Sequence, residues 1–502
     1  MSDEQPTPSD FLDAAQLRPT GDMDADDFRR HGRAVVDWIA DYLEGIGDLP
    51  VLGAVTPGDV RRQLPDRPPD GPESMAEVMA DLDRIIVPGL NHWNHPAFHA
   101  YFGITASGPG ILGEALAAAF NVNAMLWKSA PAATELEQVV TDWLRQLLGL
   151  SSAFHGTLMD GASAASLVAL AAARERIDMD IRQRGLAGRF DVPLLRVYVT
   201  DQTHSSVEKG AITLGLGRDG VRVVATDAQR RMDPVMLEEA IREDLRLGIQ
   251  PMAVVATVGT TATTSVDPVA AIADVCDLFR DEVPGGLWLH VDGAYGGIAG
   301  ITERARWVLD GVDRADSFVT NPHKWLFTPI DCTAFYVKDV HTLTHAFSVV
   351  PEYLHTAERD DVVDYMDWGV QLGRRFRALK LWMVMRYFGA DGLRSRVEHA
   401  LDQAQRVAAW VDDQSELERV AEVPLSTVCF RVVGDAPPEE LDATTAAVAD
   451  HLNRSGVAFV MTTVLDDRTV IRFPIGNLKT TDERLEGTLN ALNTAITQAT
   501  WG

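Results

Sequence analysis

Lysine is scarce in this chain. Six of 502 residues are lysine (Lys128, Lys209, Lys324, Lys338, Lys380 and Lys479), against 39 arginines. Any chemistry that needs a primary amine therefore has six positions to draw on. Cysteine is scarcer still. Cys276, Cys332 and Cys429 lie far apart and form no CxxC pair, which argues against a zinc knuckle or a disulfide framework. No apolar run approaches ~18 residues, so no membrane span is expected. Met1–Pro8 is polar and acidic, unlike a signal peptide. Positive charge is also short, with 45 basic against 73 acidic residues and a net charge of −28. That balance repels nucleic acid and anionic lipid. The expectation is a cytoplasmic protein in a reducing compartment.

What the chain does have is enough apolar residue, 46%, to fill the core of a large α/β protein. Asp26–Gly45 reads as a helix, since Val35, Val36, Ile39, Tyr42 and Leu43 recur at helical spacing behind an acidic start. Residues 64–74 carry four prolines and no periodicity, the signature of a linker. Thr134–Leu148 is a second amphipathic helix. From about 150 to 340, short apolar runs alternate with helical segments. The runs are 195–200, 221–225, 252–257, 287–292, 316–320 and 333–337, several apolar at nearly every position. This predicts a largely parallel sheet covered on both faces. Beyond Gly389 come a long helix, a strand near 427–433, a helix near 439–454, strands near 457–463 and 468–474, and a last helix, which together make a smaller α/β unit. The division expected is 1–100, a helical N-terminal segment; 101–388, the large domain; and 389–502, a small C-terminal domain.

Three motifs invite functional readings that their context weakens. Gly108-Pro-Gly110-Ile-Leu-Gly113 matches a dinucleotide fingerprint, but no second parallel strand bearing an acid follows it, so packing glycines are the better reading. His92, His95 and His99 resemble a metal cluster. Pro96 interrupts them and no carboxylate or thiolate accompanies them, which favours a packed aromatic segment with Trp93, Phe98, Tyr101 and Phe102. Arg374, Arg375 and Arg377 read as a helix face pairing with acids rather than as an anion site.

Four other features converge. Lys324, in Asn321-Pro-His-Lys-Trp325, follows the strand at 316–320, where residues leaving a strand's carboxyl end face the ligand crevice. Its apolar neighbours favour a neutral, nucleophilic amine. Asp292 ends the strand at 287–292, placed to hold a pyridinium nitrogen protonated; a simple Asp-Gly turn is the plainer reading. Asp160-Gly-Ala-Ser163 leads into a helix whose free N–H groups could cradle phosphate, the plainer alternative being an N-cap by Ser163. His204 follows the strand at 195–200 and could stack on a flat ring, or be an ordinary loop histidine. Together an amine, an acid, a phosphate cradle and a planar side chain match what pyridoxal 5′-phosphate requires.

On these residues the chain resembles the pyridoxal-phosphate-dependent group II decarboxylases, and among them the aromatic-L-amino-acid decarboxylases. The resemblance runs from about 27 to 475. It rests on Phe28-Arg-Arg-His-Gly32, Asp41-Tyr-Leu-Glu-Gly45, Pro88-Gly-Leu-Asn-His-Trp93, Ala100-Tyr-Phe102, Pro131-Ala-Ala-Thr-Glu-Leu-Glu137, Asp201–Glu208, His290-Val-Asp292, Asn321–Trp325 and Leu372-Gly-Arg-Arg-Phe-Arg377. It implies the type I (aspartate aminotransferase-like) α/β fold, a pyridoxal 5′-phosphate cofactor, a homodimer wrapped by the N-terminal segment with shared sites, and decarboxylation of an amino acid. Lys324 would be the cofactor-bearing lysine, Asp292 the partner of the pyridine nitrogen and His204 the stacking histidine. Ala162, Ser163 and Asn321 fall where the family binds phosphate. Thr261, Ala294 and His323 match positions around the ring. Tyr353, in Pro351-Glu-Tyr-Leu354, matches a loop tyrosine credited with protonating Cα; aldehyde-forming relatives carry phenylalanine there. The polar, aperiodic stretch 355–364 reads as a lid.

The substrate pocket implied by the resemblance comprises Trp93, Tyr101, Phe102, Ile104, Met125 and Gly373. Close relatives carry proline, threonine and phenylalanine where this chain has Gly103, Ile104 and Met125. Gly373 resembles the small residue of indole-accepting members, so a tryptophan-like substrate is expected ahead of tyrosine or dihydroxyphenylalanine. The alternatives are a glutamate or diamino-acid decarboxylase, for which Lys128 is the one unusual charged candidate, an aldehyde synthase of the same family, or a non-catalytic homologue. No metal is implied.

Overall fold

The computed structural model describes residues 12–349 and 361–501. Contacts divide the chain into two units. One comprises 1–98, 448–460 and 483–502; the other comprises 99–447 and 461–482. Of the chain beyond 389, 448–460 and 483–502 fall in the first unit and 390–447 and 461–482 in the second. In the first unit the helix Ala25–Gly45 forms where the apolar spacing placed it. His92 and His95 are held locally there: His92 Nδ1 meets Tyr42 Oη at 2.8 Å, and His95 Nδ1 accepts the Ala97 N–H at 3.0 Å.

The second unit is built on a seven-stranded sheet. Its strands are β1 (His155–Met159), β2 (Leu195–Val199), β3 (Val221–Val223), β4 (Gln250–Thr257), β5 (Trp288–Asp292), β6 (Ser317–Thr320) and β7 (Thr333–Val337), in the order β1-β7-β6-β5-β4-β2-β3. Every residue of β4, β5, β6 and β7 is buried. Their largely apolar character therefore reports cover on both faces. Pairings from β3 through β2, β4 and β5 to β6 are parallel, whereas β7 runs antiparallel to both β6 and β1. Opposing the same neighbour makes β1 and β6 point the same way. The carboxyl ends of β1, β2, β4, β5 and β6 consequently open on one edge, which positions the site. The alanine-rich helix Ala162–Arg176 packs on this sheet through Ala165, Ala169 and Ala172, in one core with Val197, Val255, Val319 and Phe335.

Strands β8 (Leu417–Arg419), β9 (Thr427–Val432), β10 (Phe459–Leu465) and β11 (Arg468–Pro474) form an antiparallel sheet, β9 pairing with β8 and β11, and β11 with β10. The expected helix beyond Gly389 is preceded by another helical stretch. The whole runs Arg377–Asp412 and bends at Gly389, whose φ of 66° needs no Cβ to be tolerated. Arg374 and Arg375 precede that helix instead of lying on its face. Each arginine of the cluster still pairs with an acid: Arg374 with Glu137 (2.6 Å), Arg375 with Glu114, and Arg377 with Asp331 (2.7 Å).

The glycine motif opens the helix Gly108–Phe120 and works by packing. A Cβ on Gly113 would stand 2.7 Å from Lys380 Cα, and one on Gly110 would collide with Pro329. Gly113→Ala should cost about 1–3 kcal/mol, because the obstacle is backbone rather than a movable side chain. The check is a lower urea midpoint at unchanged slope; an unshifted midpoint contradicts the packing assignment.

Candidate active site

Lys324, Asp292, His204, Ser163 and Thr261 stand at or just beyond strand ends on that shared edge. Lys324 sits on the short helix Pro322–Trp325, which leaves β6 through Asn321. Asn321 is buried; its N–H reaches Ala294 O at 3.2 Å and its Oδ1 accepts from Thr333 Oγ1 at 2.9 Å. The turn carrying Lys324 is thereby tied to the turn after β5. Register completes the tie, since Asp292 pairs with Val319 on one side and Thr257 on the other.

Lys324 keeps part of its surface accessible, yet its surroundings push the ammonium pKa down to about 8. Burial is the main cause; nearby Arg472 acts the same way and Asp292 opposes both. Its Nζ lies 5.1 Å from the Phe102 ring centroid. Phe102 stacks on Tyr295 (3.7 Å), and Tyr295 on Trp325 (4.6 Å, 1° between planes). The amine thus rests on a column of three rings. Arg472 covers Phe102 at 4.2 Å and donates to Ala262 O (3.2 Å) and Tyr101 O. Tyr101 itself is held at φ 51°, a backbone conformation that a non-glycine residue adopts only when its surroundings impose it.

Asp292 is buried at the end of β5, and its Oδ1 accepts the Ala294 N–H at 3.0 Å. That bond fixes the carboxylate without neutralising it. His204 is exposed at its turn and tethered through Nδ1, which meets Ser206 Oγ at 2.8 Å and accepts the Ser206 N–H at 3.2 Å. Accepting a backbone N–H leaves the proton on Nε2. Partial burial holds its pKa below the ordinary imidazole value, with Asp292 opposing and Lys324 and Lys209 reinforcing the shift. A flat, neutral ring is the result. His323 is also kept neutral, near 4, by burial and by Lys324; its Nδ1 accepts the Cys332 N–H at 3.1 Å.

The turn after β1 ends in the helix Ala162–Arg176, whose N-cap is Gly161, not Ser163. The Ala164 and Ala165 N–H groups both return to Gly161 O at 3.1 Å. Those of Ala162 and Ser163 have no acceptor within the helix, and Ser163 is exposed. Thr261 is exposed on the turn after β4.

The sequence matches the pyridoxal-dependent decarboxylase conserved domain over residues 57–433. The chain belongs to the pyridoxal-dependent decarboxylase family. A tyrosine decarboxylase from Narcissus pseudonarcissus is 38% identical over 477 residues, covering 92% of this chain and 93% of that one. A phenylacetaldehyde synthase from Arabidopsis thaliana is 38% identical over 465 residues, covering 90% and 92%. The crystal structure of Oryza sativa TDC with PLP and tryptamine superposes with a TM-score of 0.90 at 36% identity, covering 95% of this chain and 99% of that one. The protein is thus a pyridoxal-phosphate-dependent carboxy-lyase of the type I fold. Its own residues suit the cofactor of this decarboxylase family: an amine of lowered pKa, a fixed carboxylate within electrostatic reach, an open neutral ring and free helix N–H groups stand along one sheet edge.

The expected substrate-pocket residues fall into separate groups. Phe102 belongs to the Lys324 column, and Tyr101 is linked to it through Arg472. Ile104 is partly buried two residues on. Met125 and Gly373 are both near Asn123 instead: Asn123 Nδ2 reaches Met125 Sδ at 3.5 Å and lies 3.8 Å from where a Cβ on Gly373 would sit. Trp93 lies in the first unit, stacked on Phe98 at 4.5 Å. His99 is stacked on Phe473 (4.1 Å). Tyr353 lies outside the described residues, as do 355–360 of the stretch read as a lid. Sequence reading passed over Tyr295, Trp325 as a stacking partner, Ser206 and Arg472. Tyr295 was findable, three residues after Asp292; Arg472 comes from a distant strand and carried no local signal.

Proposed function

We propose that the protein decarboxylates an aromatic L-amino acid to its amine and CO₂, with a tryptophan-like side chain favoured over tyrosine or dihydroxyphenylalanine. The observation that carries this is the placement of the Lys324 amine, at the shared sheet edge and 5.1 Å from the Phe102 ring of an aromatic column, with burial lowering its pKa. Bound pyridoxal phosphate supplies an electron sink for the pair left on Cα when CO₂ departs. Lys324 provides the amine that holds the cofactor, and the N–H groups at Ala162 and Ser163, with Asn321, hold its phosphate. Asp292 keeps a proton on the pyridine nitrogen by offering a fixed negative charge. His204 would cover one face of the ring, and Thr261, Ala294 and His323 would border it. Phe102, Tyr101, Ile104, Met125 and Gly373 would orient the substrate so that its Cα–carboxylate bond stands perpendicular to the cofactor ring. Tyr353 delivers the proton to Cα.

A homodimer is part of the proposal. A pocket divided between two copies would bring the Met125–Gly373 pair to a substrate that also touches Phe102. A reducing, cytoplasmic setting is likewise proposed, supported by three free, buried cysteines. Among the described residues no helix is long and apolar enough to cross a membrane.

The test is a panel of amino acids incubated with purified protein and cofactor, with amine and CO₂ measured. Turnover of tryptophan, then tyrosine, is the expected order. Turnover of glutamate or a diamino acid with no aromatic substrate would overturn the reading, and release of ammonia and peroxide would move the protein to the aldehyde synthases.

A further inference from the structure

The motifs Pro131–Glu137 and Leu372–Arg377 each carry a residue without a task in this chemistry, Glu137 and Arg374, and the structure joins the two. Glu137 and Arg374 are 1% and 9% exposed. Glu137 Oε1 accepts from Arg374 Nη2 (2.6 Å), Thr157 Oγ1 (2.9 Å) and the Leu158 N–H (2.8 Å). Arg374 Nη2 also donates to Thr157 Oγ1 (3.0 Å) and Leu158 O (2.9 Å), Nη1 donates to Ala124 O (3.2 Å), and the guanidinium lies over Tyr365 at 4.6 Å. The backbones follow suit: the Ala124 N–H reaches Arg374 O at 2.9 Å, and the Arg374 N–H reaches Asn123 Oδ1 at 2.9 Å. Three residues earlier, Gln371 Nε2 donates to Asp160 Oδ2 at 2.8 Å.

A buried ion pair of this kind repays little of its own desolvation as stability, so its value lies in the single arrangement it enforces. Here that arrangement is specific. One end of the fork grips β1 just before the Asp160–Ser163 turn. The other grips Ala124, next to Met125, while Gly373 is Arg374's own neighbour. We infer that Arg374, locked by Glu137, is the positioning residue that fixes the Met125–Gly373 wall relative to the turn that cradles phosphate, and so sets discrimination among aromatic side chains. This rests on the proposal above that Met125 and Gly373 line the substrate pocket. Arg374 is assigned to act through the two segments it holds.

The test uses the holoenzyme of Arg374→Lys, which keeps a charge opposite Glu137 but has no fork to span Ala124 and Leu158 together. Asn123→Ala is the second variant; Asn123 is exposed, so its loss leaves the buried pair intact. In both, the ratio of kcat/KM for tryptophan over tyrosine should move by about threefold or more, with KM for tryptophan up roughly tenfold in Arg374→Lys. Its kcat should stay within about threefold, and cofactor absorbance and affinity should be unchanged. A ratio that stays put while Tm or kcat falls for both substrates alike would reduce the pair to a structural one and overturn the inference. Wild-type protein inactive on every aromatic amino acid would instead remove the proposed function, and this inference with it.

Discussion

Lys324→Ala should abolish turnover, with kcat/KM falling on the order of 10⁴-fold or more, the scale on which removal of a covalent catalytic group is felt. The size follows from the lack of a substitute. Lys380 is buried and also has a lowered pKa, chiefly through burial, but its Nζ lies 2.8 Å from Glu114. Lys338 is committed to Asp313 O and the Phe154 ring. Lys128 and Lys209 are exposed, Lys479 lies beyond β11, and none of the three follows the carboxyl end of β6. The variant should still fold, and should bind cofactor without the borohydride-sensitive absorbance of a lysine-linked form; retention of that absorbance would refute the assignment. The same amine carries a pH signature. Only the neutral form is nucleophilic, and its pKa lies near 8, so the rate at which apo-protein takes up cofactor should rise between pH 7 and 9 with a midpoint near 8. An exposed lysine would place that midpoint above 10.

That this lysine could be singled out from sequence has a physical reason. Strands buried on both faces leave unbroken apolar runs, and residues leaving their carboxyl ends are the ones free to do chemistry. β2, β4, β5, β6 and β7 were legible on those terms, and with them His204, Asp292 and Lys324. β1 and β8 were not. His155-Gly-Thr-Leu-Met159 has exposed and polar positions because β1 ends the sheet, and Leu417–Arg419 is three residues long. Ser163 looked like the cap because it is the side chain with a hydroxyl, whereas the backbone enters the helix two residues earlier at Gly161. Arg374 read as part of a helix face pairing with acids, and it does pair with one, but buried and ahead of the helix. Its burial depends on Glu137, far away in the chain, and no local pattern reports a contact of that separation. The second cation beside Lys324 escaped notice for the same reason, since Arg472 reaches Phe102 from β11.

Asp292→Asn should lower kcat/KM by on the order of 10²–10³-fold, the range lost when one preorganised electrostatic contact to developing charge is removed. Asparagine is the informative replacement. Its Oδ1 can still accept the Ala294 N–H that Asp292 takes at 3.0 Å, so the turn after β5 keeps its shape and only the charge is removed. Alanine would lose both and confuse the two effects. The charge also acts on its neighbours, raising the pKa of Lys324 and of His204 against the lowering caused by burial. In the variant that support is gone, and with burial and Arg472 unopposed the Lys324 amine should titrate below about 8. The midpoint of cofactor uptake should therefore shift to lower pH while turnover falls. This pairs easier uptake with poorer catalysis, which general destabilisation would not produce. If turnover falls and the midpoint stays in place, Asp292 is not acting on Lys324 through its charge, and the coupling between the two groups is refuted.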